Sequence, residues 1–358
     1  MSRLRSIQLK LSKSNLKVDG LLITNPENRR YLSGFTGSAG VLLVGVEEAM
    51  IVTDFRYWEQ VVGEASGFEL YRQKGKLWEE VAALIAKLGW QRIAFEAGSL
   101  VYREYQSLTE VLGDNCKLVP MDDLVEKERW IKDQDELTLI VEAAKITDQA
   151  WAATMPLIKP GIKERELALE FDYQLRRHGA ERSAFPTIVA SGFRGALCHA
   201  QPGEKELQLG ELVILDGGAV YQGYHADMTR TVVLGKADEK QRQIYQIVLQ
   251  AQIAVLEMLQ GGMLGNEVDK IARQIITEAG YGDCFGHGLG HCVGLEIHEN
   301  PRLSPLELNQ IPSWTVVTVE PGIYLSGWGG VRIEDLVVVL PDGIINLTKS
   351  PKMELIEL

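Results

Sequence analysis

Residues 286–301 read Gly-His-Gly-Leu-Gly-His-Cys-Val-Gly-Leu-Glu-Ile-His-Glu-Asn-Pro and carry three of the six histidines in the chain. Each glycine in a helix interior costs about 1 kcal/mol relative to alanine, so Gly286, Gly288 and Gly290 make this stretch tight, extended backbone. His287 and His291 then share a side, as they would on a helix, because a spacing of four satisfies both periods. Either way the pair suits two ligands, or a ligand and a proton carrier. A single histidine is more often a hydrogen-bonded structural or surface group. The meaning of the stretch therefore rests on the acids that the rest of the chain brings to it.

The chain has 358 residues, a length suited to two domains rather than one small core. Hydrophobic residues make up 46% and charged residues 24%, which excludes a disordered or fibrous protein. The net charge of -12, with no long Lys/Arg run, argues against a nucleic acid partner. Residues 1–18 lack the unbroken apolar core of a signal peptide, and no apolar run reaches the roughly 18 residues of a membrane span. No membrane partner is expected. Cys116, Cys198, Cys284 and Cys292 show no framework spacing, so reduced thiols in a cytoplasm are expected.

From the N-terminus, Leu4, Ile7 and Leu11 mark one helical stripe, followed by strands over Leu21–Thr24, Val41–Val44 and Met50–Thr53. An amphipathic helix over Leu77–Leu88 and a strand over Arg92–Phe95 continue the alternation of a mixed sheet covered by helices. The pattern loosens around Val119–Asp123, and Arg129–Trp151 follows as a long charged helix. These features predict an N-terminal α/β domain over residues 1–125 and a larger domain over 126–358. A second helix is predicted over Lys163–Gly179, after the Pro160-Gly161 break.

Past Glu181 the chain turns to short strands, and two hairpins stand out. Glu211–Asp216 is an apolar strand, and Tyr224–Val233 returns with His225, Asp227, Thr229 and Thr231 on one side. A turn at Tyr221-Gln222 would set Asp216 opposite Asp227. Opposed residues on antiparallel strands have Cβ atoms about 4.5–5.5 Å apart, so two carboxylates there repel unless a cation lies between them. Asp216 reads equally well as the opening residue of an Asp-Gly-Gly turn. In the second hairpin, folding at Gly327 sets Glu320 opposite Glu334, with Arg332 on the same face as Glu334. Four carboxylates and one imidazole match the charge of two divalent metal ions. Such a donor set favours Mn²⁺, with Co²⁺, Zn²⁺ or Fe²⁺ as alternatives, over a thiolate-rich structural zinc site.

Asp216, Asp227 in Asp-Met-Thr-Arg-Thr, His291 in Gly-His-Gly-Leu-Gly-His, Glu320 in Val-Glu-Pro-Gly-Ile-Tyr and Glu334 in Val-Arg-Ile-Glu-Asp resemble the five metal ligands of the methionine aminopeptidase, aminopeptidase P and prolidase superfamily. Phe35-Thr36-Gly37-Ser38 and Thr53-Asp54-Phe55-Arg56-Tyr57 resemble the N-terminal domain of its proline-directed members. The resemblance implies an α+β protein whose C-terminal pita-bread domain follows a creatinase/prolidase-like N-terminal domain. It implies hydrolysis of the bond before proline in proline-containing peptides, with an Xaa-Pro aminopeptidase placed first, a prolidase as the alternative, and a homodimer as the assembly. By the same resemblance Asp216 chelates one ion, Asp227 and Glu334 bridge both, and His291 with Glu320 completes the second. Glu320 also carries a proton, His199 and His298 steady the tetrahedral intermediate, and His287 and Arg332 contact substrate.

The chain departs from the family pattern at Cys198, where proline often precedes the histidine, and at Cys292, where glycine is common. A zinc site of Cys284, His287, His291 and Cys292 fits no standard finger spacing. A Cys198 nucleophile would leave both acid hairpins unexplained. A metal-free binding relative or a creatinase-like hydrolase is disfavoured by the intact five ligands.

Overall fold

The computed structural model of the chain describes residues 2–358, which form two compact units that divide after Arg129. In the first unit six strands make one mixed sheet in the order Glu69–Arg72, Ala49–Thr53, Val41–Gly45, Gly20–Ile23, Arg92–Glu96 and Lys117–Met121. Gly20–Ile23 runs antiparallel to Val41–Gly45 and parallel to Arg92–Glu96, which gives the mixed character. The helix Leu77–Leu88 keeps its predicted bounds because its Val81, Leu84 and Ile85 stripe packs on Leu22, Leu43, Val52 and Ile93, and Gly89 ends it in the left-handed conformation.

In the second unit the same plan occurs twice, as two stacked helices followed by a sheet that is antiparallel except where Ile356–Glu357 joins Thr229–Val233 in parallel. Gln134–Thr154 and Glu164–Arg177 precede the sheet of Ile188–Ser191, Leu212–Asp216, Thr229–Val233 and Ile356–Glu357. Glu239–Met258 and Gly265–Glu278 precede the sheet of Glu299–Leu303, Gly290–Cys292, Val316–Val319, Asp335–Leu340 and Gly343–Asn346. The correspondence extends to details. Each half's long helix opens on an aspartate capping box, Asp133 with Glu136 and Asp238 with Gln241. Lys163 and Leu264, which precede the second helices, each make an isolated antiparallel bridge, to Glu206 and Gln310. This doubled arrangement is the pita-bread fold, and with the mixed first unit the chain is α+β.

The capping box also explains why the long helix starts at Gln134, later than the predicted Arg129. Asp133 Oδ1 accepts from Glu136 N at 2.9 Å while Glu136 Oε2 accepts from Asp133 N at 3.0 Å, which fixes a helix start there.

Candidate metal centre

The first hairpin folds one residue later than the sequence suggests. Gln222 and Gly223 are its central turn residues, with φ of 44° and 80°, the positive values that a two-residue hairpin turn requires. A one-residue shift of the turn moves the pairing by two. Asp216 accordingly faces Thr229 rather than Asp227, and Asp227 becomes its diagonal neighbour. The strand breaks over Ala226–Met228, where the backbones crowd so closely that a Cβ on Gly218 would lie 1.7 Å from Ala226 O. His225, expected on the side of Asp227, turns its Nδ1 to Gly294 O at 3.1 Å.

The second hairpin has the expected register. Val319 pairs with Asp335 and Gly322 with Arg332, so Glu320 stands opposite Glu334 between them. The hairpins meet at Thr229, whose Oγ1 donates to Glu334 Oε2 at 2.7 Å. In the glycine-rich stretch, Gly290–Cys292 is a strand that presents His291 to the acids, while Cys292 packs into the core. A Cβ on Gly290 would stand 2.1 Å from Thr318 O, so this glycine lets the two strands pack closely.

All nine residues singled out in the sequence line one cavity of about 640 Å³: Asp216, Asp227, His291, Glu320 and Glu334 with His199, His287, His298 and Arg332. Asp227, His291 and Glu334 converge most closely, each offering a ligand atom within 4.8 Å of the others. His291 Nε2 lies 3.6 Å from Asp227 Oδ2 and 3.5 Å from Glu320 Oε1. Its Nδ1 faces Cys292 O at 3.0 Å, which leaves Nε2 directed at the acids. Asp216 is more withdrawn, with Oδ2 held by Arg332 Nη2 at 2.6 Å.

Packing these groups together perturbs them. Burial, with Glu334, Asp216 and Glu320 nearby, raises the Asp227 carboxyl well above its ordinary range. Burial, with Glu320 and Asp216, does the same to Glu334. Glu320 rises to about 7, chiefly through burial, against the opposing charge of Arg332. His291 falls to about 3 and His287 to about 4, both mainly through burial, so each is a neutral imidazole at pH 7. Asp216 Oδ1 and Asp227 Oδ1 are buried with no hydrogen-bond partner. Carboxylates held against one another with orphaned oxygens, beside one neutral imidazole, fit divalent cations of the oxygen-preferring class.

Two residues of the site, one behind the cavity wall and one on its border, escaped the sequence reading. Tyr324 Oη bonds Arg332 Nη1 at 2.9 Å and His287 Nε2 at 2.9 Å, tying the second hairpin to the loop before His291. Arg302 borders the cavity from the strand that follows His298. The tyrosine was visible within Glu-Pro-Gly-Ile-Tyr, yet only the hairpin register brings it to Arg332.

Residues 138–341 match the family described as Metallopeptidase family M24, and residues 3–131 match the Creatinase/Prolidase N-terminal domain. The chain belongs to metallopeptidase family M24. Its similarity to known peptidases spans nearly the whole length. It is 39% identical to the Xaa-Pro dipeptidase of Pyrococcus furiosus, over 94% of each chain. It superposes on the Xaa-Pro dipeptidase from Bacillus anthracis with a TM-score of 0.96, at 42% identity over 99% of both chains. The X-Pro aminopeptidase from Thermotoga maritima follows at a TM-score of 0.89 and 36% identity, over 97% of this chain and 99% of that one. Among the described residues no helix is long and apolar enough to cross a membrane.

Proposed function

We propose that this M24 metallopeptidase is an Xaa-Pro dipeptidase that uses two divalent metal ions, with Mn²⁺ the leading candidate. The aminopeptidase reading that came first from sequence thereby moves to second place. The observation that carries the change is Arg302, a cation at the border of the cavity on the strand after His298. A dipeptide ends in a carboxylate immediately after proline, and a guanidinium binds a carboxylate through two parallel hydrogen bonds. A longer peptide has an amide there and gains nothing from that charge. The dipeptidases of Bacillus anthracis and Pyrococcus furiosus support this choice, and the Thermotoga maritima aminopeptidase supports the alternative.

Asp227, His291 and Glu334 would hold the metal ions together with Asp216 and Glu320. Metal ions bound there would polarise the scissile carbonyl and lower the pKa of water to about 7. The rest falls to the chain's own side chains. Glu320 takes the proton of the attacking water and returns it to the proline nitrogen as the C–N bond breaks. His298, whose ring centroid lies 4.5 Å from that of His291, borders the place where the carbonyl oxygen gains charge. His199 shares this duty from its own side of the cavity, and His287 and Arg332 contact the substrate. Proline brings no N–H, so it must be recognised by shape, and Phe185, Pro186 and Ile188 offer an apolar wall. Four thiols without a disulfide support a reducing cytoplasm, and the homodimer stays part of the proposal.

Rates on an Xaa-Pro dipeptide, its C-terminal amide, an Xaa-Pro-Pro tripeptide and an Xaa-Ala control test this reading. The dipeptide acid should be cleaved fastest, and Arg302→Gln should raise its KM about 10-fold or more while sparing the amide. Preference for the tripeptide would restore the aminopeptidase, and equal cleavage of Xaa-Ala would remove proline from the account.

A further inference from the structure

Behind the two hairpins, on the side away from the cavity, lies a second group of charged side chains. Arg230 follows Thr229 and so points to the opposite face of its strand, and Asp335 does the same after Glu334. Arg230 is 1% exposed and Asp335 0%. The Arg230 guanidinium donates to Thr229 O at 2.9 Å, to Glu334 O, to Asp335 Oδ1 at 2.8 Å and to Ser350 O at 2.8 Å. It thus grips the backbone of both hairpins within one residue of Glu334 and two of Asp227.

The group continues into the second half. Lys352 Nζ bonds the other Asp335 oxygen and Gln252 Oε1. Gln252, from the long helix Glu239–Met258, donates through Nε2 to Val319 O at 3.2 Å, beside Glu320. Asn346 Nδ2 adds a bond to Asp335 Oδ2 at 2.6 Å, and Tyr245 Oη anchors Lys352 O at 2.7 Å. None of these side chains lines the cavity. Burying three charges costs several kcal/mol each before their bonds return it, and apolar residues of equal size often serve stability as well or better. What apolar residues could not supply is directed hydrogen bonds to carbonyls beside three of the cavity's acids.

We infer that Arg230, Asp335, Lys352 and Gln252 form a positioning network that sets the spacing of the carboxylates, and through it the metal affinity of the centre. The network makes the segment Asn346–Lys352 a working part of the site although it touches no substrate. The inference rests on the proposal that these carboxylates hold metal ions. Its scale follows from other centres, where loss of the groups that orient the ligands weakens metal binding about 10–100-fold.

Three variants test it: Arg230→Lys, Lys352→Met and, as a control, Val268→Ala in the helix Gly265–Glu278, whose buried apolar side chain makes none of the network's hydrogen bonds. The readouts are the Mn²⁺ dissociation constant by calorimetry, the visible spectrum of the Co²⁺-loaded protein and the melting temperature without metal. Both network variants should bind Mn²⁺ about 10–100-fold more weakly and shift the Co²⁺ bands, while Val268→Ala melts earlier but keeps both metal properties. If Arg230→Lys does not fold, Lys352→Met decides. Wild-type affinity and spectrum in Lys352→Met, or an equal loss in Val268→Ala, would overturn the network alone. A wild type that takes up no Mn²⁺ or Co²⁺ would overturn the metal reading and the network with it.

Discussion

Thr229 Oγ1 donates to Glu334 Oε2 at 2.7 Å, and Glu334 N donates to Thr229 O at 3.1 Å. One residue therefore joins the two halves of the catalytic unit at a carboxylate that faces the cavity. The same hydroxyl accepts from Arg332 Nε at 2.9 Å, so it also orients the arginine that holds Asp216. Thr229→Val keeps the shape and removes both bonds. It should cost about 1–3 kcal/mol of stability and lower kcat by about 10-fold or more, as the Glu334 and Arg332 side chains lose their common anchor. Calorimetric unfolding and steady-state kinetics measure the two effects.

Arg332 uses three different nitrogens for Asp216, Tyr324 and Thr229. A lysine carries its charge on one nitrogen and cannot reproduce that planar fork. Arg332→Lys should therefore lower kcat/KM by about 100-fold while keeping the charge, and Arg332→Met should lower it further. Equal activity of the lysine variant and wild type would mean that charge alone matters.

The acids of the centre make the stability of the metal-free protein depend on pH. Glu320 rises from an ordinary 4.5 to about 7 in the folded state, and Asp227 and Glu334 also rise. The folded form then holds protons that the unfolded chain releases. Between about pH 4.5 and 6.5 this is offset by His287 and His291, which are lowered to about 4 and about 3 and take protons only in the unfolded chain. Above about pH 6.5 the acids alone count, and stability should fall as pH rises through about 7, the reverse of the usual buried ion pair. Bound metal keeps the carboxylates charged in the folded state and should abolish this slope. Melting temperatures in chelator and in excess Mn²⁺, at about pH 6.5 and about pH 8, give the comparison.

Gly218 has no space for a side chain, since a Cβ would lie 1.7 Å from Ala226 O. Gly218→Ala must displace the break in the first hairpin that carries Asp227. A loss of about 4 kcal/mol or more is expected, read as a large fall in melting temperature.

Much of this architecture was legible in the amino-acid order because register follows from alternation and turn position. Glu320 opposite Glu334 needed only the glycine-rich tip and a count of two. The first hairpin pairs two residues away from the expected register because its turn closes on Gln222-Gly223, with Gln222, a residue that rarely takes positive φ, in the left-handed region. The long helix started late because Asp133 and Glu136 cap it, a local signal hidden inside a longer run of helix formers. Arg302 and the Arg230 network were out of reach for another reason. Their meaning lies in a cavity edge and in contacts to backbone carbonyls as far as Ser350 from Arg230, and alternation says nothing of those.

The convergence of Asp227, His291 and Glu334 carries the proposed metal chemistry. Its most direct test is metal content and Xaa-Pro hydrolysis measured together, on wild type and Asp227→Ala after chelation and reloading with Mn²⁺. Wild type should regain close to two ions and its activity, while Asp227→Ala should hold fewer ions and lose activity by about 1000-fold or more. Full hydrolysis by chelated wild type, or by Asp227→Ala, would contradict it.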